Sequence, residues 1–242
     1  MSEGWFDIHN HAMPDVDDGA HNLKESNRML KAAYEEGIRS IILTPHCYPR
    51  FRETTPDELK EKHLKLQKLA HMIDRSFEIY LGNEIYYQHD VAELLHNRKI
   101  QTMAGSDYVL VEFSLSKDFR DIKNGLYELQ MAGYLPILAH IERYKCFEKA
   151  FNHVVELEEM GVYLQVNASS VIGNNGLATK RFVKQALDEE LVHFIATDAH
   201  GIWNRPPLIK KCVHYVSKKY GSERAGLLFY QHPMDIIKNR TI

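Results

Sequence analysis

An α/β barrel is the fold this sequence predicts, and three observations carry the prediction. Strand and helix patterns alternate seven times along 242 residues, close to the roughly 250 of a single parallel barrel. No stretch rich in glycine, serine or proline splits the chain, so residues 1–242 read as one domain. Six of the seven strands end in His, Glu or Asp. A closed barrel opens all its strand C-termini on one face, whereas a doubly wound sheet gathers only those beside its switch point.

Short apolar or β-branched runs give the strands: Trp5–Ile8, Ser40–Thr44, Phe77–Leu81, Tyr108–Phe113, Leu135–Ala139, Val162–Val166 and Val192–Thr197. Between them, Asn22–Glu36 repeats Leu23, Met29, Leu30 and Ala33 at helical spacing and stops before Gly37. Thr55-Pro56-Asp57-Glu58 reads as a capping box with proline at the first helical position, ahead of Leu59, Leu66, Leu69 and Ile73. Further helices are expected near Asp90–His96, Arg120–Ala132, Phe147–Met160, Ala178–Glu189, Pro207–Lys219 and Arg224–Lys238.

Composition narrows the function. Lys+Arg 30 against Asp+Glu 33 gives a formal charge of −3, the wrong sign for a nucleic-acid-wrapping protein. Cys47, Cys146 and Cys212 are odd in number and far apart, which argues against a disulfide scaffold and for a reducing compartment. The start lacks an apolar signal segment and no run nears 18 apolar residues. The expectation is therefore a cytoplasmic protein with no membrane insertion. Fourteen histidines are the compositional oddity.

Many of them stand at strand ends. The ends read Asp7-Ile8-His9-Asn10-His11, Thr44-Pro45-His46, Gly82-Asn83-Glu84, Val111-Glu112-Phe113, Ala139-His140, Val166-Asn167 and Thr197-Asp198-Ala199-His200, at steps of 27 to 38 residues. Each step is about one βα unit. So many imidazoles and carboxylates in one place would repel or stay unpaired without a cation, and with no cysteine among them they suit Mn, Fe or Zn. One ion takes four to six ligands, so two or three ions sharing a bridging carboxylate fit the count. Adjacent ions of that kind make a phosphate-ester hydrolysis site.

Taken singly, each residue has a plainer reading. His46 after a proline could sit in a surface loop, Glu84 could be an ordinary strand-end charge, and Asp15, Asp17 and Asp18 could form a solvated acidic loop. Glu112 is different, because an unpaired carboxylate within Tyr108–Phe113 would be costly to bury. His63, His71, His96, His153 and His214 fall on helices, and His21, His89, His193 and His232 read as structural or exposed.

These motifs resemble the PHP (polymerase and histidinol phosphatase) superfamily, and within it the manganese-dependent tyrosine-protein phosphatases of bacterial capsule and exopolysaccharide operons. The likeness runs from Asp7 to Pro207. It includes Asp15-Val16-Asp17-Asp18-Gly19, Gly82–Tyr86, Ala139–Tyr144, Gln165–Ser170 and Arg205-Pro206-Pro207. The resemblance implies a distorted (β/α)7 TIM-like barrel. It implies one metal on His9, His11, Glu84 and Asp198, a second on Glu84, Glu112 and His140, and a third on Asp18, His46 and His200. Manganese is the implied ion, with iron, zinc, cobalt or magnesium as alternatives. The implied partner is a tyrosine-phosphorylated protein, a cognate bacterial tyrosine kinase, with homo-oligomerisation left open. Cys47 and Gly201 depart from residues frequent in relatives, which bears on rim contacts rather than on ligands.

The expected reaction is phosphomonoester hydrolysis, in which hydroxide generated from metal-bound water attacks phosphorus in line. Arg143 and Arg205 each follow a candidate ligand by a few residues and suit the phosphoryl oxygens. The phenolate leaving group, of pKa about 10, needs little protonation, so no dedicated general acid is obvious; His200 or a metal-bound water could supply one. No arginine stands six residues after any cysteine, so a thiolate mechanism lacks its motif. The rivals are a small-molecule phosphatase, of histidinol phosphate for example, which wants an enclosed pocket, and a non-catalytic phosphotyrosine-binding regulator. Arg50, Phe51 and Arg52, after His46, are a candidate rim for a phosphopeptide.

Overall fold

The computed structural model describes residues 4–47 and 54–242. The candidate rim residues Arg50, Phe51 and Arg52 lie outside the described residues. Nine strands and eleven α-helices are described: β1 (Trp5–Asn10), α1 (Leu23–Glu35), β2 (Ile38–Leu43), β3 (His46–Cys47), α2 (Pro56–Ile73), β4 (Glu78–Leu81), β5 (Glu84–Tyr86), α3 (Val91–His96), β6 (Tyr108–Glu112), α4 (Phe119–Met131), β7 (Leu135–Leu138), α5 (Lys145–Lys149), α6 (Asn152–Glu159), β8 (Tyr163–Asn167), α7 (Ala168–Ile172), α8 (Leu177–Asp188), β9 (Phe194–Ala196), α9 (Lys210–Tyr220), α10 (Ser222–Gly226) and α11 (His232–Ile237).

Every strand pairing is parallel. The order is β1-β2-β4 in one sheet and β3-β5-β6-β7-β8-β9 in the other. β3 continues β2 beyond Pro45, and β5 continues β4 beyond Gly82-Asn83, so the two sheets are the lower and upper parts of one curled wall. Asp198 N–H donates to His9 C=O (2.9 Å) and His11 N–H to Ala199 C=O (2.9 Å), which joins the end of β9 to β1. The outcome is the expected TIM-like barrel of seven staves, two of them creased.

The creases correct the strand reading. Pro45 has no N–H to give a ladder, and Gly82 fits where a Cβ would stand 2.9 Å from Met103 Sδ and 3.2 Å from Ile42 Cγ2. Asn83 fills the crease, its Nδ2 donating to Pro45 C=O (2.9 Å) while its Oδ1 accepts from Gln101 N–H (2.8 Å). Helix 147–160 is also corrected: it breaks into α5 and α6 around Ala150 and Phe151. The expected C-terminal helix holds a π turn at Leu227–Gln231.

Period two along the strands sorts the interior. One face of β6 carries Leu110 then Glu112; one face of β8 carries Tyr163, Gln165 and Asn167; Phe194 and Ala196 follow on β9, with Asp198 just beyond its end. The apolar members join Ile8, Ile42 and Ile137 in one buried cluster, while Ile41, Leu43, Val109, Val111 and Leu138 pack under the helices. At about 25 cal/mol per Å² of apolar surface, this double-sided burial is what holds a polar rim in place. The cap of α1 is Asn22, accepting from Lys24 and Glu25 N–H, and the Thr55–Glu58 capping box starts α2 as expected.

Candidate metal centre

The upper rim gathers all nine expected ligands. Glu84, at the start of β5 and 1% exposed, sits in the middle. Its Oε2 is 3.1 Å from His9 Nε2, 3.2 Å from His11 Nε2 and 3.0 Å from His46 Nδ1, and its Oε1 is 2.9 Å from His140 Nε2. Asp198 Oδ1 lies 3.4 Å from His9 Nε2 and 3.6 Å from His11 Nε2. Asp18 Oδ1 faces His46 Nε2 (3.5 Å) and His200 Nε2 (3.3 Å). Glu112 approaches His46 (3.4 Å) and His140 (3.6 Å).

Three groups emerge whose donor atoms lie within 4.8 Å of one another: His9, His11, Glu84 and Asp198; His11, Asp18, His46 and His200; and His46, Glu84 and Glu112. The first has the same members as the expected first set. In the second, His11 joins the expected trio. In the third, His46 stands where His140 was expected, although His140 also touches both carboxylates.

The donors fit cations. His9 Nε2 and His11 Nε2 face each other at 3.2 Å, and two imidazole lone pairs converge this closely when something positive lies between them. Glu84 Oε2 and Asp198 Oδ1 are buried without a hydrogen bond of proper geometry, which a bare carboxylate oxygen tolerates poorly. Burial opposes charge on Glu84, yet His9 and His46 hold its carboxyl well below the usual range. Burial also opposes charge on His11, yet Asp17 and Glu84 raise its pKa well above the ordinary value.

A supporting layer aims these rings. His9 Nδ1–H donates to Gln165 Oε1 (3.2 Å), His11 Nδ1–H to Asp17 Oδ2 (2.7 Å) and His200 Nδ1–H to Asp198 C=O (3.0 Å). Each bond consumes the Nδ1 proton and turns an Nε2 lone pair inward, the usual service of such partners. Gln165 Nε2 donates to Asn167 Oδ1 (2.9 Å) and Asn167 Nδ2 to Asp198 Oδ2 (2.9 Å). Asp17, Gln165 and Asn167 were not among the expected site residues. For the β8 pair the signal was present: two amides at alternate positions in Tyr163–Asn167, an otherwise apolar strand. Asp17 carries no signal that separates it from Asp15 or Asp18.

His140 (φ 36°), Asp198 (φ 53°) and Arg205 (φ 61°) all adopt left-handed backbone, sparsely populated by residues with a Cβ and frequent at functional sites. Arg205 pairs with Asp198 Oδ2, and Arg143 Nη1 lies 3.7 Å from the same atom. Both guanidiniums are about two-fifths exposed and line a cavity of about 310 Å³ with Asp18, His46, Glu84 and Glu112.

Other expectations resolve plainly. Burial raises the thiol of Cys47 to about 11 and those of Cys146 and Cys212 above the usual value, so none offers a thiolate near neutrality. His63 Nε2 donates to Ile79 C=O (2.7 Å), and His153 stacks on Phe119 at 3.8 Å.

A parallel barrel with imidazoles and carboxylates gathered at its strand ends belongs to the class of metal-centred barrel proteins. More narrowly, the chain belongs to the capsular polysaccharide synthesis CpsB/CapC family, whose model matches residues 5–238. It is 36% identical to the tyrosine-protein phosphatase CpsB of Streptococcus pneumoniae, over 98% of this chain and 100% of that one. It is 30% identical to the tyrosine-protein phosphatase YwqE of Bacillus subtilis, over 98% and 93%. A solved structure from work on YwqE and S. pneumoniae CpsB, described as metal-dependent tyrosine phosphatases, superposes with a TM-score of 0.91 at 30% identity, covering 98% of this chain and 96% of that one. The phosphotriesterase homology protein of Escherichia coli shares the fold alone, at a TM-score of 0.64 and 11% identity, covering 98% and 99%. Among the described residues no helix is long and apolar enough to cross a membrane.

Proposed function

We propose that this chain is a metal-dependent protein-tyrosine phosphatase whose physiological substrate is a cognate bacterial tyrosine kinase of capsule or exopolysaccharide synthesis. One observation carries the protein substrate over a small one. The cavity over the ligand cluster shares Asp18 and Arg205 with a cleft of about 540 Å³ on one side, and Tyr86, Phe113 and Ser114 with one of about 610 Å³ on the other. We read these adjoining cavities as a trough across the ligand cluster, suited to an extended chain rather than an enclosed metabolite.

His9, His11, Asp18, His46, Glu84, Glu112, His140, Asp198 and His200 would hold two or three divalent ions. The all-nitrogen-and-oxygen donor set suits manganese, iron or zinc, and manganese is the ion we assign on the family resemblance. Bound ions would supply Lewis acidity and a water of lowered pKa. Glu84, touched by four imidazoles, would be the ligand the ions share. Arg143 and Arg205 orient the phosphoryl group and neutralise charge growing on its oxygens. Of the two roles weighed for His200, the geometry favours ligand over acid, since Nδ1 is committed to a carbonyl and Nε2 faces Asp18. We place the protein in the cytoplasm and read residues 1–242 as one catalytic unit.

The test compares kcat/KM for a phosphotyrosine peptide, the matching phosphoserine peptide and histidinol phosphate with manganese-loaded enzyme. The phosphotyrosine peptide should win; a preference for histidinol phosphate of about tenfold or more refutes the assignment.

A further inference from the structure

The 540 Å³ arm of the trough has walls that the chemistry at the metal centre does not explain. One wall is the segment 201–205. Its base is pinned where His200 N–H donates to Arg205 C=O (3.0 Å), and Ile202 packs on the core. Between these anchors Trp203 lines the cleft while 90% exposed, the most exposed large apolar side chain among the described residues. The other wall is the first turns of α1, with Glu25 and Arg28, and His21 just before its cap.

The charges on these walls are unequally engaged. Asp18 is held between His46 and His200. Glu25 Oε2 accepts from His21 N–H at 2.9 Å. Arg205 is paired with Asp198. Arg28 has no ion pair or hydrogen bond among the described residues and is exposed. An uncommitted guanidinium and an exposed indole therefore line one cleft, which adjoins the cavity over the metal ligands through Asp18 and Arg205. An indole on a pinned turn gives a flat apolar platform at low entropic cost, and Trp and Arg are the residue types that dominate binding hot spots.

We infer that the Arg28–Trp203 cleft is a recognition subsite for acidic polypeptide flanking the phosphotyrosine. Arg28 pairs with a carboxylate of the substrate, and Trp203 packs against the neighbouring backbone and side chain. This rests on the phosphotyrosine-protein reading above and adds to it a sequence preference. The opposite arm lacks that complementarity: Lys117 is paired with Asp121 (3.0 Å), and Asp90 and Glu128 stand on its walls.

The experiment uses full-length manganese-loaded enzyme and two phosphotyrosine peptides, alike except that one carries aspartates beside the phosphotyrosine and the other alanines, with a phosphoserine version of each. Wild type should favour the acidic peptide about tenfold in kcat/KM, carried by KM, as expected for binding remote from the reacting atoms. Arg28→Ala should bring that ratio to about one. Trp203→Ala should raise KM for both phosphotyrosine peptides several-fold with kcat held. In a Trp5→Phe background Trp203 is the single tryptophan, and its emission should shift on binding an acidic peptide bearing a non-hydrolysable phosphotyrosine mimic. An acidic-to-alanine ratio unchanged by Arg28→Ala, or indole emission that the mimic leaves unmoved, overturns the subsite while phosphotyrosine selectivity survives. Loss of preference for phosphotyrosine over phosphoserine overturns the functional reading itself, and the subsite with it.

Discussion

Asp17→Asn exchanges one oxygen for an amide in the loop beside the metal centre, with no change of shape. Asp17 Oδ2 accepts from His11 Nδ1–H at 2.7 Å and from His46 N–H at 2.9 Å, and Oδ1 accepts from Gly19 N–H at 2.9 Å. An asparagine keeping its oxygen toward Gly19 points an NH2 group at two donors; flipped, it opposes Gly19 instead. Either way a buried donor goes unsatisfied, at roughly 1–3 kcal/mol, and with the NH2 turned inward His11 loses the partner that fixes its tautomer. Loss of such a partner weakens metal binding by about 10–100-fold. Stability should fall as well, by roughly 5 °C in melting temperature for a chain of this size. Competition with a chelator, using manganese as the probe, reads the first effect, and thermal melting of metal-free protein reads the second. Manganese affinity within about twofold of wild type would refute the claim that Asp17 aims His11.

Three further outcomes follow from the same structure. Chelation should abolish phosphatase activity and manganese should restore it; metal-free protein as fast as the reconstituted enzyme excludes a metal-centred reaction. Arg143→Ala and Arg205→Ala should each lower kcat/KM by about 100-fold on aryl phosphate and phosphopeptide alike, and a loss confined to the peptide would remove both from the phosphoryl group. His193, near the base of the barrel, accepts from Leu164 N–H through Nδ1 (3.2 Å), and burial lowers its pKa to about 4 from 6.5. A depressed histidine stabilises the fold fully above its unfolded pKa. Stability should therefore decline as pH falls from 6.5 through about 4, by up to ~3 kcal/mol. His193→Asn, which keeps an acceptor near that amide, should flatten the decline in urea melts; an unchanged slope assigns it elsewhere.

The staves were legible because each carries a run of apolar or β-branched residues ended by a polar one, and the ligands were legible because that ending recurs. Hydrophobic patterning could not reveal the creases. β3 is two residues long and β5 three, too short for any period to show. The break between α5 and α6 was hidden because Phe147, Val154 and Leu157 keep helical spacing across it. Helix α7 was hidden because Ala168–Ile172 follows a strand without a cap signal; Asn167 makes no side-chain cap there and turns instead to Asp198. Among the three loop aspartates, Asp17 and Asp18 differ only in direction: one turns inward behind His11, the other toward His46 and His200. Composition is blind to that distinction.

The creased staves extend the reach of the chemistry into residues that have none. Pro45 and Gly82-Asn83 stand immediately before His46 and Glu84, and Glu84 N–H donates to Pro45 C=O at 3.2 Å. The lower sheet is fixed by apolar packing, and the upper sheet inherits its height and tilt through this joint. A methyl group added at position 82 or a proline moved by one place leaves every ligand intact and still re-aims the carboxylate that four imidazoles share. Tolerance to substitution here therefore depends on position relative to the joint as well as on distance from a reactive atom, and an inert glycine is constrained by Met103 and Ile42 packed against it.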